Sequence, residues 1–380
     1  MTERDIFQKE VVELSKLHKF LAVEAATGTG KGKACFMSIL EDNSEKKWLI
    51  LVPEILQIEN LKKDIEKHNL LDIYNKIEDI ICYASFDKYK GKSLNIWANE
   101  VHRLSELKSD ISKTINFDKI IVDSATIPYD VKERLNSIGG FYYHKVSLQE
   151  AIDKKILPTP VIYKISTILD NESKRNIKKY GKNTSFLTDK KYAESLDKDL
   201  EYWKKRYAEN PSDKWIGNML NKIGGNRKKF FSDKKTENCQ NLIRYLNNKR
   251  FICFTGSIEQ ADILNSNNSV HSKKTKKQNI NTLNLFNNKQ IDSIFMNKMG
   301  REGLNLTDIE CVIIIQLGTG NDEGLQFLQS IGRGLRAENP EIYILYCKDT
   351  KDEEFVNKAL KHVNNNYIQE FNKEKWKNIQ

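Results

Sequence analysis

Short apolar runs rich in β-forming residues alternate with helical patterns along most of this 380-residue chain. In the first part the runs are FLAVEAA (20–26), KWLILVP (47–53), EDIICYA (78–84), LNIWA (94–98), KIIVDSA (119–125) and TPVIYKI (159–165). A helical pattern, EILQIENLKKDIEKH (54–68), lies between two of them, with apolar residues three or four positions apart. Alternation of this kind predicts a mainly parallel sheet with helices on its faces.

The same rhythm returns after a charged middle segment. Strand-like runs resume with KRFICFTGS (249–257), QIDSIFMNK (290–298), IECVIIIQL (309–317) and EIYILYC (341–347). We therefore predict an α/β protein with two parallel-sheet domains. The first domain is predicted at 1–165 and the second at 236–350. A charged helical connector or insertion is predicted at 166–235 between them, and one C-terminal helix at 351–380.

Aromatic and basic residues in the less regular parts of the chain have two interpretations. Tyr202, Trp203, Tyr207 and Trp215 lie in the charged middle segment. A local core is the favoured interpretation for them, and a platform for stacking nucleic-acid bases is the alternative. The run SKKTKK (272–277) similarly favours a solvated helix start over a DNA contact.

Composition narrows the class of protein and of partner. The net charge is +10, from 62 basic and 52 acidic residues, which favours a polyanionic partner such as nucleic acid; a Lys- and Asn-rich surface that is only solvated is the alternative. No apolar run approaches the roughly 20 residues that span a bilayer, and the charged start MTERDIFQKE does not resemble a signal peptide. The six scattered cysteines form no CxxC pair. We expect a reducing cytoplasmic location without a zinc site or disulfides.

The segment AATGTGKGKA (25–34) has the context of a phosphate-binding loop. It follows an apolar strand and precedes the helical pattern KACFMSIL. Glycines allow backbone N–H groups to approach phosphates, the helix N-terminus adds partial positive charge, and Lys31 adds a full charge. An ordinary glycine-rich turn between a strand and a helix is the alternative.

Hydrolysis of a bound triphosphate needs an acid that orients water and cations that stabilise the developing charge. The run LNIWANEVHRLSE (94–106) offers Glu100 directly after a strand. The run QSIGRGLR (329–336) offers Arg333 and Arg336, which are three residues apart on a predicted helix and can therefore reach one point together.

Ordered motifs carry a family resemblance over nearly the whole chain. They are RDIFQKEVV (4–12), AATGTGK (25–31), LVPEILQIENL (51–61), CYASFDK (82–88), NEVHR (99–103), DSATIP (123–128), SLQEAIDKKILPTP (147–160), FICFTGSIEQADIL (251–264), MGREGLNL (299–306) and QSIGRGLR (329–336). In this order they resemble the motifs of superfamily-two helicases of the DEAH-related, restriction-enzyme and phage type. The resemblance implies two RecA-like domains, with ATP and Mg²⁺ in the cleft between them and nucleic acid, DNA rather than RNA, across both.

The resemblance also implies roles for individual residues. Gln8 would read adenine, Asn305 would contact the ribose, and Glu100 would activate the attacking water. The triphosphate would be held by Thr27, Gly28, Thr29, Gly30, Lys31 and Gly32. The remaining assignments are domain coupling by His102 and Gln329, arginine fingers at Arg333 and Arg336, relay of the nucleotide state by Ser124 and Thr126, and nucleic-acid contacts at Pro53, Ser85, Thr255, Gly256 and Arg301. Simpler alternatives are a solvent-facing Gln8, a helix-start His102, a turn-forming Asn305 and a surface ion pair for Arg333.

Two departures from the family pattern affect the metal. Gly32 stands where a Ser or Thr would ligate Mg²⁺, and Asn99 stands where an Asp would hold it, so that Asn99 would act through water. We therefore expect an ATP-binding motor with altered or weakened metal dependence. The alternatives are a clamp or scaffold that binds ATP and nucleic acid with little turnover, and a translocating subunit of a nuclease complex.

Overall fold

The computed structural model describes residues 1–106, 115–179, 183–297, 306, 308–317, 337–361 and 363–376. The chain divides into two compact units, and the first boundary lies between Thr159 and Pro160. Each unit contains its own parallel sheet. The predicted α/β class, with two parallel-sheet domains in tandem, is therefore confirmed.

The first unit is a six-stranded sheet with helices packed on its faces. Its strands are β1 (Phe20–Ala25), β2 (Trp48–Val52), β3 (Ile77–Cys82), β4 (Asn95–Asn99), β5 (Ile120–Ser124) and β6 (Tyr142–Val146). Its helices are α1 (Glu3–Leu17), α2 (Lys31–Leu40), α3 (Ile55–Lys67), α4 (Tyr129–Ile138) and α5 (Leu148–Asp153), with 3₁₀ turns at Leu71–Asn75, Tyr83–Tyr89 and Val101–Glu106. The strand order is β3-β2-β4-β5-β1-β6, and every pair is parallel.

Alternating side chains of the central strands fill two separate cores. In β4, Ile96 and Ala98 pack into one apolar cluster, and Trp97 between them packs into the cluster on the opposite face. Both faces of the sheet are therefore covered, as a parallel sheet requires. This arrangement brings the carboxyl ends of β1, β4 and β5 to one edge of the sheet.

The second unit is a seven-stranded parallel sheet. Its strands are β7 (Val161–Thr167), β10 (Phe251–Phe254), β11 (Ser269–Val270), β12 (Ser293–Met296), β13 (Cys311–Ile314), β14 (Glu341–Cys347) and β15 (Ile368–Glu370), in the order β11-β12-β10-β13-β14-β7-β15. Its helices are α6 (Asp189–Glu209), α7 (Lys214–Lys234), α8 (Thr236–Tyr245), α9 (Ile258–Asn265), α10 (Lys276–Asn287) and α11 (Lys351–Leu360). Two 3₁₀ turns lie at Asn365–Tyr367 and Lys373–Trp376.

The strand β7 lies in the second sheet, whereas the predicted first domain (1–165) includes most of it. It pairs with β14, in a register that places Ile162 beside Ile342 and Ile165 beside Leu345, and β15 pairs with its other side. Because this partner is more distant in sequence than any strand of the first sheet, the run TPVIYKI alone does not show which sheet it joins.

Two further segments differ from the expected helices. The middle segment begins with an antiparallel hairpin of β8 (Arg175–Lys179) and β9 (Asn183–Leu187) before its helices start. The C-terminal segment is not one helix, because α11 ends at Leu360 and the chain then adds β15 to the second sheet. All six cysteines are free thiols. No helix among the described residues is both long and apolar enough to cross a membrane.

Candidate nucleotide site

The glycine loop between β1 and α2 has the backbone that phosphate binding requires. Gly28 and Gly30 have φ of 95° and 87°, in the left-handed region that favours glycine. The Thr29 hydroxyl donates to the Ala26 carbonyl oxygen at 2.9 Å and fixes the turn. Lys31 is the first residue of α2 and is buried. The N-terminal N–H groups of α2 and the Lys31 ammonium therefore lie together at the carboxyl end of β1.

Gln8 lies against this loop. It is buried on α1, with 4% of its surface exposed, so the alternative of a solvent-facing residue is wrong. A Cβ atom added to Gly30 would lie only 2.2 Å from Gln8 Nε2. The Gln8 side-chain amide therefore leaves room only for a glycine at position 30. Recognition of adenine by Gln8 remains a prediction.

Two alanine substitutions in this loop test the close approach. Gly30→Ala introduces a left-handed alanine and a clash with Gln8, so we expect it to lower the free energy of unfolding of the first unit by at least about 1 kcal/mol. Gly32→Ala is the matched control. Nothing lies within 4 Å of a Cβ at residue 32, and alanine favours the helix, so stability should stay unchanged or rise by up to about 1 kcal/mol. Urea unfolding followed by circular dichroism measures both, and equal stability of the two variants would contradict the geometry.

An acidic residue that the motif comparison did not assign lies at the edge beside this loop. Asp123 is the fourth residue of β5 and is directly opposite Asn99 in the neighbouring strand β4. The Asn99 amide nitrogen donates to both carboxylate oxygens, at 3.0 and 3.2 Å, and the Trp97 indole donates to Oδ1 at 2.7 Å. Asp123 is completely buried. The carboxylate absent at position 99 is therefore present one strand away.

The charge state of Asp123 depends on its surroundings. Burial raises the pKa of Asp123 to about 6; the positive charge of Lys31 opposes this rise, and the negative charge of Glu100 adds to it. The hydrogen bonds from Trp97 and Asn99 favour the ionised form. Asp123, Lys31 and Glu100 thus interact electrostatically within one site. The sequence carried one signal of this arrangement, an Asp at the end of an apolar strand, but the cross-strand bond requires the register of the sheet.

Glu100 and His102 are held next to each other beyond the end of β4. Glu100 has a left-handed φ of 55°, which is uncommon for a residue with a side chain and is found more often at functional sites. His102 Nδ1 lies 3.4 Å from Glu100 Oε2 and 2.9 Å from the Ser124 hydroxyl. That hydroxyl donates to the Thr126 carbonyl oxygen at 2.7 Å. Hydrogen bonds therefore connect His102, which lies beside Glu100, with the DSATIP segment after β5.

The side chains at this edge fit a magnesium ion only in part. No group of three or more His, Cys, Asp or Glu side chains in the described ranges could hold a metal by itself. Mg²⁺ in nucleotide sites is held largely by phosphate oxygens and water, with one or two carboxylates. Asp123 and Glu100 supply carboxylates of this kind, and the Asn99 amide oxygen can bind metal-bound water. The open space at Gly32 leaves room for water in place of a hydroxyl.

The residues expected to contact nucleic acid fall into two groups. Pro53 follows β2 and Ser85 follows β3, so both lie at the carboxyl edge of the first sheet, half-buried. Thr255 and Gly256 are buried after β10. The Gly256 amide donates to Ser232 Oγ at 3.1 Å, which gives this glycine a packing role. The nucleic-acid contacts of all four remain predictions.

The other predicted site residues lie outside the described part of the chain. They are Arg301, Asn305, Gln329, Arg333 and Arg336. Their predicted roles in ribose binding, nucleic-acid contact, coupling and charge stabilisation are unchanged from those implied by the sequence.

Comparison with known proteins supports the fold and one domain. Residues 234–338 match the family model described as helicase conserved C-terminal domain. A search of curated protein sequences returns no match. The matched range covers most of the second α/β block identified from its strand pattern.

Solved structures of helicases share the fold over nearly the whole length of this chain. Saccharomyces cerevisiae Dbp5 bound to RNA and ADP BeF3 has 10% sequence identity and a TM-score of 0.64, with 97% of this chain and 90% of that chain covered. The Pyrococcus furiosus Hef helicase domain has 13% identity and a TM-score of 0.52, covering 93% and 97%. Mycobacterium smegmatis Lhr bound to ssDNA and AMP-PNP has 13% identity and a TM-score of 0.58, covering 98% and 49%. The chain therefore has the tandem RecA-like fold of helicases and carries a helicase conserved C-terminal domain.

Proposed function

We propose that this protein is an ATP-dependent helicase or translocase that acts on nucleic acid. One observation carries the proposal. The glycine loop, Lys31 and the buried Gln8 lie at the same sheet edge as Glu100 and Asp123. A parallel α/β sheet binds its ligands at this edge, and a triphosphate needs these donors together with an acid. The helicase fold and the matched C-terminal domain support the same class of activity.

Each group in the first unit has a defined part in the proposed reaction. The loop amides and Lys31 hold the triphosphate and stabilise its negative charge. Glu100 orients and deprotonates the attacking water, and His102 keeps Glu100 in place. Mg²⁺, when bound with the nucleotide, would neutralise phosphate charge beside Asp123 and Asn99. Arg333 and Arg336 are the proposed cations that stabilise charge on the terminal phosphate. The preference for DNA over RNA rests on the family resemblance.

A clamp with little turnover is the second candidate. It is favoured by the missing oxygen ligand at Gly32 and by the Asn99 amide, whose N–H groups are directed at Asp123. In this alternative the protein would bind ATP and nucleic acid and remain closed on both. A translocating subunit of a nuclease complex would share the ATPase chemistry of the first candidate.

Steady-state phosphate release separates the first two candidates. We expect full-length protein to hydrolyse ATP with either Mg²⁺ or Mn²⁺, and single-stranded DNA or RNA to stimulate the rate at least severalfold. Stimulation by one polymer and not the other would assign the substrate. Tight ATP binding in a titration, with a rate that neither metal nor polynucleotide raises above background, would support the clamp instead.

A further inference from the structure

Helices α6 and α7 form a long arm in the second unit. Each has 21 residues, and only residues 210–213 separate them. A helix of this length extends about 30 Å. Buried Leu196 and Leu200 of α6 and buried Ile216 and Ile223 of α7 lie on the apolar faces of the pair. α6 stays in contact with α11 as far as Glu201, which pairs with Lys351, so the part of the arm beyond that contact begins at residue 202.

The base of the arm is fixed to the second sheet by buried polar contacts. Near the end of α7, the Ser232 side chain bonds to Gln260, and the Gln260 amide donates to the Ser232 carbonyl oxygen at 2.7 Å. The fully buried Lys235 ammonium donates to Gln316 Oε1 at 2.7 Å and to Asp352 Oδ2 at 2.8 Å. Breaking any of these bonds would leave a buried polar group unsatisfied. The C-terminal end of α7 is thus joined to the second unit by several buried hydrogen bonds.

Aromatic side chains are exposed at the far end of the arm, which we call the arm tip (residues 202–215). Tyr202 and Trp215 are 53% and 61% exposed, and Tyr207 is 38% exposed. The expectation that these residues form a local core is therefore wrong for Tyr202 and Trp215. Trp203 is half-buried and stands edge-on to both, with ring centroids 5.4 Å from Tyr202 and 5.3 Å from Trp215. Trp203 thus packs against both rings, and both rings remain exposed to solvent.

Exposed basic residues lie in the same short stretch as the exposed rings. Lys205, Arg206 and Lys214 are exposed, and Arg206 donates to the Tyr202 hydroxyl at 3.3 Å. Basic residues outnumber acidic ones four to two within the arm tip, residues 202–215. One of the two acidic side chains is already engaged, because Asp213 caps α7. The arm tip therefore combines open aromatic faces with positive charge.

We propose that the arm tip binds single-stranded polynucleotide, with Tyr202 and Trp215 stacking on bases and Lys205, Arg206 and Lys214 contacting phosphates. This inference deepens the proposed function by assigning a contact outside the helicase motifs. Stacking on flat rings beside cations is how proteins hold single strands without reading their sequence. A protein partner would use an apolar patch with less surrounding charge, because charged residues are depleted at the centres of such interfaces. Anchored at its base, the arm would hold the strand relative to the second sheet.

Fluorescence anisotropy with labelled oligo(dT) and oligo(U) tests the inference in full-length protein without nucleotide. Tyr202→Ala with Trp215→Ala should raise the dissociation constant at least about 10-fold. Lys205→Ala with Lys214→Ala should weaken binding and reduce the slope of log K against log salt by about 1.4, which is the value for two lost phosphate contacts. Equal effects on both oligonucleotides would indicate a contact common to DNA and RNA, and an effect on one alone would assign the polymer.

Rescue and matched controls keep the test specific. Tyr202→Phe with Trp215→Phe keeps both rings and should stay within about threefold of wild type. Tyr74→Ala and Lys358→Ala remove an exposed tyrosine and an exposed lysine elsewhere and should leave binding unchanged. Wild-type affinity in the arm-tip variants would overturn the inference while leaving the proposed function intact. Failure of wild-type protein to bind either oligonucleotide would overturn both.

Discussion

Replacing Lys31 with methionine should lower ATP turnover by about 10²- to 10³-fold, the effect of removing one donor to the developing charge. Lys31 is buried at the first position of α2, beside the loop in which Gly28 and Gly30 have a left-handed backbone. Methionine keeps the length and apolar stem of the side chain and removes its charge. ATP affinity should fall as well, because the ammonium also interacts with the ground-state triphosphate. Phosphate release and calorimetric titration with a nonhydrolysable ATP analogue measure the two effects.

Lys33→Met provides the matched control for Lys31→Met. Lys33 lies two residues further along the same helix and is half-buried. Side chains two positions apart on a helix do not share a face, so Lys33 should not reach the same phosphate. Its variant should retain turnover within about twofold. A Lys31 variant with normal turnover, or a Lys33 variant as damaged as Lys31→Met, would contradict the assignment of the glycine loop.

Exchanging the residues at positions 99 and 123 should restore the stability of the first unit that either single substitution lowers. Asn99→Asp places a second carboxylate beside buried Asp123, where the amide donated at 3.0 and 3.2 Å, and should destabilise the first unit by roughly 1.5–3 kcal/mol at pH 8. Asp123→Asn removes the charge that both donors stabilise and should destabilise it by a similar amount. The double exchange restores one carboxylate and one amide, and the new amide oxygen can still accept from Trp97. Its stability should return to within about 1 kcal/mol of wild type.

Urea unfolding with EDTA present measures this cycle without any contribution from bound metal. Phosphate release at several Mg²⁺ concentrations then shows whether ATP turnover depends on having one carboxylate at either position 99 or position 123. We expect Asp123→Asn to need more Mg²⁺ for half-maximal turnover and the double exchange to recover part of that loss. If Asn99→Asp alone raised both stability and turnover, the absence of an acidic residue at position 99 would itself limit the site. That result would contradict the claim that Asp123 supplies the carboxylate.

The strand and helix pattern predicted much of the fold because local sequence determines it. Apolar runs such as KIIVDSA are buried on both faces of a parallel sheet, so they are recognisable without any knowledge of their neighbours. The loop around Gly28 and Gly30 was similarly predictable, because the left-handed backbone there favours glycine. The pairing of strands that are distant in sequence could not be predicted. The partner of β7 is β14, which no feature of the run TPVIYKI identifies.

The same limit applies to the candidate site. Glu100 and Lys31 are recognisable as candidate residues because they occur at fixed positions in motifs. Asp123 becomes a candidate only from the register of β4 and β5, which places it opposite Asn99. At the arm tip, the sequence favours a local core, but Tyr202 and Trp215 are exposed. Their exposure depends on what packs against the ends of α6 and α7, which the sequence of either helix alone does not show.

Comparison of ATP turnover by wild type and Glu100→Gln, with saturating Mg²⁺ and single-stranded DNA, tests the central claim most directly. Glutamine keeps the size of the side chain and removes the base, so the glycine loop and ATP affinity should be preserved. We predict that wild type releases phosphate about 10²- to 10⁴-fold faster than the variant. Equal rates for the two proteins, with ATP bound tightly by both, would contradict catalysis at this edge of the first sheet.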